Sequence, residues 1–464
     1  GVSGMGWGLR IVPIRASNAS SGGASLSALT GGARWGIDQG ARVASVSYSG
    51  VGNNSPQTTG EYIRGANGLL CWAAGNNGSD RSGFDHEDVL IIGASTSSDN
   101  RSGFSNYGLS LDLVSPGSGI LATTYDGAYG SKSGTSMATP VAAGVVGLIY
   151  DTQPAINSQL VEAILNKTAV DKGDPGEDND WGFGRIDAAA AVQLASAIVV
   201  DGRAVVAVND ADRIFGVGEP RVIDVLANDA TLTGTLSIAT HTTAAASGAT
   251  ITLVTDADGT QRLEYVPPAG FTGWDSFEYT ATDGEAVSAP ATVHVHVISQ
   301  DQFKAPDVIA GSMYDYELDV TYYQLEQLDA LPDFSTLSPA LRSSAATVEI
   351  SSTNGVFSDS GMSDDVGAVY EGYFLAPAAD LYTFETVSDD GSKLYIGGDE
   401  IVNNDGLHGM RSRTGDIALQ AGWHSIRVEF FERGGGAGLL VYAARTQAPG
   451  KSIVEGSFAR GCRA

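Results

Sequence analysis

Residues 134–140 read GTSMATP, and this stretch decides how the surrounding sequence is interpreted. Small residues lead into a run of apolar positions, which predicts a helix over residues 136–151 that begins at Ser136. Pro140 lies in the first turn, where proline is tolerated, and Pro154 follows the end of the helix. A serine at a helix N-terminus meets backbone N–H groups and the positive end of the helix dipole, which favour developing negative charge. The alternative interpretation of Ser136 is an ordinary N-cap.

Two strand-like segments and a second helix predict the layers around this helix. Residues 40–47 and 68–74 are typical of buried strands that end in Gly or Asn turns. Ser158 is a candidate N-cap for another helix, whose apolar face begins at Leu160. Strands that alternate with helices predict an α/β fold with a parallel sheet.

The composition narrows the possible functions. The chain has 464 residues and a formal net charge of −28, so we expect several domains and no nucleic-acid or anionic-membrane partner. No apolar run reaches transmembrane length, and no signal peptide opens the chain. Of the two cysteines, Cys71 lies in an apolar run and Cys462 in a polar tail, so we expect neither a bridge between them nor a zinc site.

A second motif gives the serine its context. Residues 73–76 read AAGN, and together with GTSMATP they resemble the subtilase family of serine proteases, the subtilisin-like proteases. The resemblance covers about residues 1–197 and implies an α/β parallel-sheet peptidase domain. It continues through IGAS (92–95), GFSNYG (103–108), SPG (115–117), ILAT (120–123) and GFGRIDA (182–188).

The resemblance implies roles for individual residues. Ser136 resembles the acylating nucleophile, and Asn76 resembles the side chain that donates to the oxyanion. Two further groups resemble substrate-binding segments. The segment that pairs with the substrate backbone comprises Ser47, Tyr48, Ser49 and Gly50, and one wall of the specificity pocket comprises Ala73, Ala74 and Gly75. No cofactor is expected for the reaction.

The sequence departs from the family in its general base. The family's Asp and His precede the serine, whereas His86 alone among the histidines precedes Ser136, and it reads as a surface-loop histidine. Asp359 resembles the family's Asp turn only superficially. Residues 1–3 resemble the stretch that follows the family's His helix, so we expect the domain 1–197 to be N-terminally incomplete, without the Asp/His segment. We therefore expect residues 1–464 alone to be inactive as a peptidase.

Residues 201–299 show short alternating strands and predict a β-sandwich. Examples are residues 262–266 and 292–297, with a hairpin turn at 256–259. The region resembles bacterial Ig-like or cadherin-like repeats, which implies a spacer. A polar linker is predicted over residues 298–312. Two interpretations stay open, turn and cap roles or a calcium site, for Asp210, Asn228, Asp229 and Asp283.

Residues 311–446 resemble the protective-antigen-type β-sandwich, with SDDGS at 388–392 and NNDGLHG at 403–409 among the matching segments. The chain is thus predicted to be multidomain, with two all-β sandwich domains after the α/β domain. The resemblance implies that the Asp pair holds a calcium that a sugar also coordinates. Adjacent carboxylates repel unless a cation lies between them, which supports the calcium, and a polar hairpin turn is the alternative. The predicted metal ligands are Asp389, Asp390, Asn404 and Asp405.

These observations predict a secreted, extracellular serine endopeptidase that acts on protein or peptide substrates, with spacer and binding domains. The alternative is an inactive truncated or degenerate protease that binds glycans or surfaces in a calcium-dependent way. The motif pair at Asn76 and Ser136 favours the first function, and the missing Asp and His favour the second.

Overall fold

The computed structural model divides into two compact units, Gly1–Val297 and Ile298–Ala464. It describes residues 4–19, 22–82, 84–124, 126–198, 203–216, 218, 220–307, 317–353, 355–445, 448–453 and 458–459. Cys462, residues 1–3 and part of the predicted linker lie outside these ranges, while Cys71 is buried with a free thiol. Within the described part of the chain, no helix is both long enough and apolar enough to cross a bilayer.

The first part of unit 1 is an α/β domain built on a parallel sheet in the order β1-β2-β3-β4, as predicted. Its helices are α1 (Leu26–Asp38), α2 (Asn54–Gly65), α3 (Thr135–Thr152), α4 (Ser158–Thr168) and α5 (Ala188–Ile198). Its strands are β1 (Val43–Val46), β2 (Leu69–Ala73), β3 (Leu90–Ser95) and β4 (Leu113–Pro116), with an antiparallel hairpin of β5 (Ile120–Thr123) and β6 (Tyr129–Lys132).

Helices cover both faces of this sheet, because strand residues alternate between the two sides. In β2, Leu69 and Cys71 join the core formed with α3, α4 and α5. Leu70 and Trp72 point the other way and join the core formed with α1 and α2. The sheet is therefore the middle of three layers.

One helix cap differs from the prediction. The N-cap of α4 is Asn157, whose Oδ1 accepts from the Leu160 N–H at 2.8 Å, rather than Ser158. Ser158 is the first helical residue, and its own N–H is bound at 2.7 Å by Asn67 Oδ1. Leu160 is fully buried, as the apolar face predicted.

The second part of unit 1 is the predicted β-sandwich. Its strands are β7 (Val205–Val206), β8 (Asp210–Phe215), β9 (Arg221–Ile223), β10 (Ala230–Thr231), β11 (Ser237–His241), β12 (Thr250–Thr255), β13 (Gln261–Val266), β14 (Gly273–Thr282) and β15 (Ala291–Ile298). One sheet has the order β11-β14-β15-β8, another β12-β13-β9, and β7 pairs with β10. The turn at 256–259 joins β12 to β13, as predicted. Helix α4 packs against β7 and β10, so the α/β domain and the sandwich share apolar contacts.

Unit 2 is a larger β-sandwich with short 3₁₀-helices at Gln300–Gln302, Phe334–Thr336 and Ser358–Ser360. Its strands are β16 (Leu318–Gln324), β17 (Leu341–Ala345), β18 (Glu349–Thr353), β19 (Val366–Ala376), β20 (Asp380–Asp389), β21 (Ser392–Ile396), β22 (Asp399–Asn404), β23 (Arg411–Leu419), β24 (Gly422–Glu432), β25 (Ala437–Arg445), β26 (Ala448–Ile453) and β27 (Phe458–Ala459).

The two main sheets of unit 2 run in the orders β17-β16-β19-β24-β21-β22 and β18-β25-β20-β23. Their inner faces share one core, to which Tyr370, Phe384 and Phe430 contribute buried rings. The predicted linker begins as part of this unit, because the Lys304 N–H donates to the Ala418 carbonyl at 2.9 Å.

Candidate active site

Ser136 is the second residue of α3 and lies close to the end of β1. Its Oγ donates to the Ser47 carbonyl at 3.2 Å, and Ser47 Oγ donates to the Ser136 carbonyl at 2.9 Å. The side chain is half-buried, and its N–H lies in the first helical turn, where amides have no acceptor within the helix. The serine hydroxyl and a free amide therefore lie together at the positive end of the helix.

Asn76 follows β2 and lies directly beside the start of α3. Its Oδ1 accepts from the Thr135 N–H at 2.8 Å and from Thr135 Oγ1 at 3.0 Å. Because an N–H donor needs an oxygen acceptor, these bonds fix which way the amide points. Asn76 is exposed, and Nδ2 has no acceptor among the described residues. An N–H donor is thus presented to solvent next to the serine.

Two positioning residues were missed by sequence reasoning. Thr135 is fully buried, and its Oγ1 also accepts from the Gly75 N–H at 3.1 Å. Asn106 is 1% exposed and donates to the Ala74 carbonyl at 2.9 Å. Its Oδ1 accepts from the N–H groups of the loop after Asn76, at Asn77 and Ser79. The available signal in the sequence was the Asn within GFSNYG, because an Asn that becomes buried must find hydrogen-bond partners.

Position 75, which lies between Thr135 and Asn106, requires a glycine. Its φ is +104°, a backbone conformation that favours glycine, and a Cβ there would lie 2.5 Å from Asn106 Nδ2. The tight approach of Asn106 to the loop thus depends on the absence of a side chain at position 75.

The predicted substrate-binding segments lie around the serine at the ends of parallel strands. Ser47, Tyr48, Ser49 and Gly50 follow β1, and Ala73, Ala74 and Gly75 end and follow β2. The carbonyl of Tyr48 is held by Trp72 Nε1 at 2.7 Å, which attaches the first segment to the second strand. Their roles in binding substrate stay predictions.

His86 is not the surface residue that its polar sequence context predicted. It is 7% exposed, and its Nε2 lies 2.8 Å from the Val51 carbonyl and 3.1 Å from the Asn53 carbonyl. The ring packs against Phe84, so burial and these two acceptors account for the histidine. Among the described residues, no His, Asp or Glu hydrogen-bonds Ser136 Oγ. Asp359 lies in unit 2, in the 3₁₀-helix Ser358–Ser360.

Comparison with known proteins assigns the three parts of the chain to known families. The subtilase family profile matches residues 1–184, the bacterial Ig domain matches 201–296, and the PA14 domain matches 318–456. Thermitase of Thermoactinomyces vulgaris is 34% identical over 196 residues, which cover 42% of this chain and 68% of thermitase. The chain belongs to the subtilase family.

Other relatives show the same extent of similarity. Subtilisin Savinase of Lederbergia lenta is 31% identical to this subtilase, and the matched region covers 42% of the present chain and 71% of Savinase. Alkaline elastase YaB of Bacillus sp. (strain YaB) is 32% identical over 38% of this chain and 46% of the elastase, so the subtilase spans about half of that relative.

A separate group of carboxylates lies in unit 2 of this subtilase. Oxygens of Asp389, Asp390 and Glu432 lie within 4.8 Å of one another, with Asp390 and Glu432 buried. Asp390 Oδ1 accepts from the His408 N–H at 2.9 Å, and Glu432 Oε1 accepts from the Gly434 N–H at 2.6 Å. Glu432 Oε2 is buried and has no hydrogen-bond partner among the described residues. Burial, followed by the charge of Asp390, raises the pKa of Glu432 to about 8.

Glu432 joins Asp389 and Asp390 in this carboxylate group, while the ligand roles predicted for Asn404 and Asp405 stay predictions. Asn404 Oδ1 is bound by Arg411 Nε at 2.7 Å, and Asp405 Oδ1 accepts from the Leu331 N–H at 2.8 Å. Sequence reasoning missed Glu432 because it lies on β24, far along the chain from the Asp pair that ends β20. Hard carboxylate oxygens of this kind fit calcium.

Proposed function

We propose that this subtilase is a serine endopeptidase that cleaves peptide bonds in proteins through an acyl-enzyme. One observation carries the proposal: Asn76 Oδ1 is bound by Thr135, the residue directly before Ser136 at the N-terminus of α3, and Asn76 Nδ2 has no acceptor among the described residues. A donor in that place stabilises the charge that develops on a carbonyl oxygen when a serine attacks the neighbouring carbon.

The proposed reaction has two stages. Ser136 Oγ forms an ester bond with the substrate carbonyl carbon and gives its proton to a base, and the peptide C–N bond breaks as the amine leaves with that proton. Water then hydrolyses the ester and restores the serine hydroxyl. The Asn76 amide and the Ser136 N–H hold the oxyanion, while Thr135 fixes the orientation of the Asn76 amide.

The described neighbours of Ser136 do not include a general base that could accept the proton of its hydroxyl. The carbonyls of Val51 and Asn53 already engage His86 Nε2, so His86 is not proposed for this role. We propose instead that a preceding segment with the family's Asp and His provides the base, and that residues 1–464 alone do not turn over substrate.

The proposal includes an extracellular location. A halolysin-like extracellular serine protease, Nep of Natrialba magadii, is 36% identical over 37% of this chain, and a cell wall-associated protease of Bacillus subtilis (strain 168) is 30% identical over 42%. The net charge of −28 favours solubility in any compartment, so the proposed location rests on these relatives and not on the charge.

A serine-directed fluorophosphonate tests the assignment. We expect a chain extended to include the family's Asp and His to be labelled on Ser136, and the Ser136→Ala variant to be unlabelled and inactive. Asn76→Ala should lower kcat by about 10²–10³ with little change in KM, because its donor acts on the transition state. The matched control is Asn77→Ala, an exposed neighbour that should keep near-normal turnover. Robust labelling of residues 1–464 alone would show that another group supplies the base.

A second candidate function is calcium-dependent binding of a glycan or surface by unit 2, in a chain that does not cleave peptides. The unpartnered Glu432 Oε2 beside Asp389 and Asp390 favours it. Calorimetry on the whole chain should show calcium binding that Asp389→Asn removes, and a glycan array should show binding only with calcium. Calcium binding without any glycan signal would leave the ion a structural role and reject the binding function.

A further inference from the structure

Helix α4 is joined to the Ig-like sandwich near its end by the side chain of Lys167. Its Nζ donates to Asn209 Oδ1 at 3.0 Å and to the Pro290 carbonyl at 2.8 Å. Asn209 immediately precedes β8 and Pro290 immediately precedes β15, so both acceptors belong to the sandwich. The amine of one domain is thus in direct contact with the carboxamide of the next domain.

The carboxamide of Asn209 is held by a second donor. Its Oδ1 also accepts from the Thr292 N–H at 3.1 Å. A backbone N–H on this oxygen polarises the carbonyl group and stabilises the negative charge that develops there when a nucleophile attacks the carbon. A neutral lysine amine is such a nucleophile. Because Lys167 already contacts the oxygen, the carbon bonded to that oxygen lies within reach of Nζ.

The surroundings of Lys167 favour the neutral amine. Among the residues that the structure describes, its hydrogen-bond acceptors are two neutral oxygens, and it forms no ion pair. Burial lowers the pKa of Lys167 below its usual value, although the charge of Asp229, followed by those of Asp210 and Glu278, acts in the opposite direction. Asp229 immediately precedes β10, against which α4 packs, and burial raises the pKa of Asp229 to about 7. A carboxylate with that pKa is able to accept a proton from the ammonium group near neutral pH.

We infer that Lys167 and Asn209 form an amide bond between their side chains, which crosslinks the α/β domain to the Ig-like sandwich. Asp229 accepts one proton from the Lys167 ammonium, and the lone pair of Nζ then forms a bond to Asn209 Cγ. A second Nζ proton passes to Asn209 Nδ2, the Cγ–Nδ2 bond breaks, and the nitrogen leaves as ammonia. No atom changes its oxidation state, so the reaction needs no oxidant, reductant or cofactor.

The reaction happens once in each molecule, so it need not be fast. Two groups that the fold holds in contact react as an intramolecular pair, with no entropy of association left to lose. The packing of α4 against β7 and β10 supplies that contact. The proposal is independent of the activity of Ser136, because none of the reacting groups belongs to the candidate active site.

The crosslink has a consequence for unit 1. It fixes the end of α4 on the sandwich, while Asn157 Nδ2 fixes the start of the helix through the Thr231 carbonyl at 2.9 Å. A bond from residue 167 to residue 209 closes a loop of the chain and restricts the unfolded state, as a disulfide does. The two domains of unit 1 therefore stay joined even when their shared core opens.

Intact-protein mass spectrometry of the whole folded chain tests the bond. We expect a mass lower than that of the sequence by one molecule of ammonia. Digestion followed by tandem mass spectrometry should recover a branched peptide, which joins the segment around Lys167 to the segment around Asn209.

Variants assign the bond to these groups. Lys167→Arg keeps the positive charge but offers a guanidinium that stays protonated, and Asn209→Ala lacks the carboxamide, so each should have the full sequence mass. Asp229→Asn should lower the crosslinked fraction. The matched control is Lys172→Arg, which changes a lysine of the same domain that pairs with Asp99 at 2.6 Å, and it should lose ammonia as the parent does.

Two outcomes overturn the proposal. One is a full sequence mass for the folded parent chain, which decides the matter whether or not a variant folds. The other is a loss of ammonia that persists in Lys167→Arg, without a branched peptide in the parent, as a succinimide at Asn77 before Gly78 would give.

Discussion

At the scale of single residues, the surroundings of a side chain decide what it can do. Asn76 is an oxyanion-donor candidate because Thr135 occupies its oxygen and leaves its nitrogen free. Asn106 has the same side chain, but both ends of its amide are used inside the protein. The same chemical group is thus a candidate site residue in one place and a loop support in the other.

Glu432 gives a prediction at this scale. Its pKa is about 8 in the folded state against an ordinary value of 4.5, so the folded state holds its proton more tightly. Without divalent cations, this contribution to stability is fully present below pH 4.5 and is lost as the pH rises through about 8. We expect Glu432→Gln to remove that loss and to raise the stability of unit 2 at pH 9 by about 1–3 kcal/mol. Thermal melting in EDTA from pH 5 to pH 9 measures it.

A control carboxylate separates this effect from general charge repulsion. Glu326 is exposed in the same unit, and Glu326→Gln should leave the pH dependence of melting unchanged. If Glu432→Gln keeps the parent's slope, the buried carboxylate is not the group that titrates.

At the scale of elements, α4 shows how a helix is fixed at its first turn. Asn157 caps the helix through Oδ1 and contacts the Ig-like sandwich through Nδ2. Asn157→Ala loses both bonds, so we expect it to destabilise unit 1 by about 0.5–2 kcal/mol in urea unfolding. Gln159→Ala, at an exposed position of the same turn, should stay within about 0.5 kcal/mol of the parent. Equal losses in the two variants would show that helix propensity, not the cap, is responsible.

The elements also show how far sequence patterns reach. The helix at Ser136 and the strand before Asn76 were predicted within one or two residues, because their apolar patterns are long and ended by glycine or proline. Asn157 and Ser158 are both favourable N-cap residues, so the local sequence does not distinguish between them. In the structure Asn67 binds the Ser158 N–H, and Asn157 is the N-cap. Glu432 meets Asp389 only through the pairing of distant strands, which no local pattern encodes.

At the scale of the whole molecule, the similarity to known families places a boundary near residue 200, whereas the compact unit runs to Val297. The core formed by α3, α4 and α5 includes apolar residues of the sandwich, among them Val206, Val208 and Ala230. We therefore expect residues 1–297 to melt in one transition, and a chain ended at residue 198 to melt at a lower temperature and to aggregate. Calorimetry compares the two, and equal melting temperatures would show that the shared core is dispensable.

This shared core limits how such a protein can be recombined. A module joined only by a linker can be replaced with another of the same kind, because its neighbour loses nothing. Here the Ig-like module supplies Val206, Val208 and Ala230 to the interior of the α/β domain, so a foreign module would leave a cavity unless it brought matching side chains. An exchange of the Ig-like module therefore has to preserve the apolar side chains that it contributes to this core.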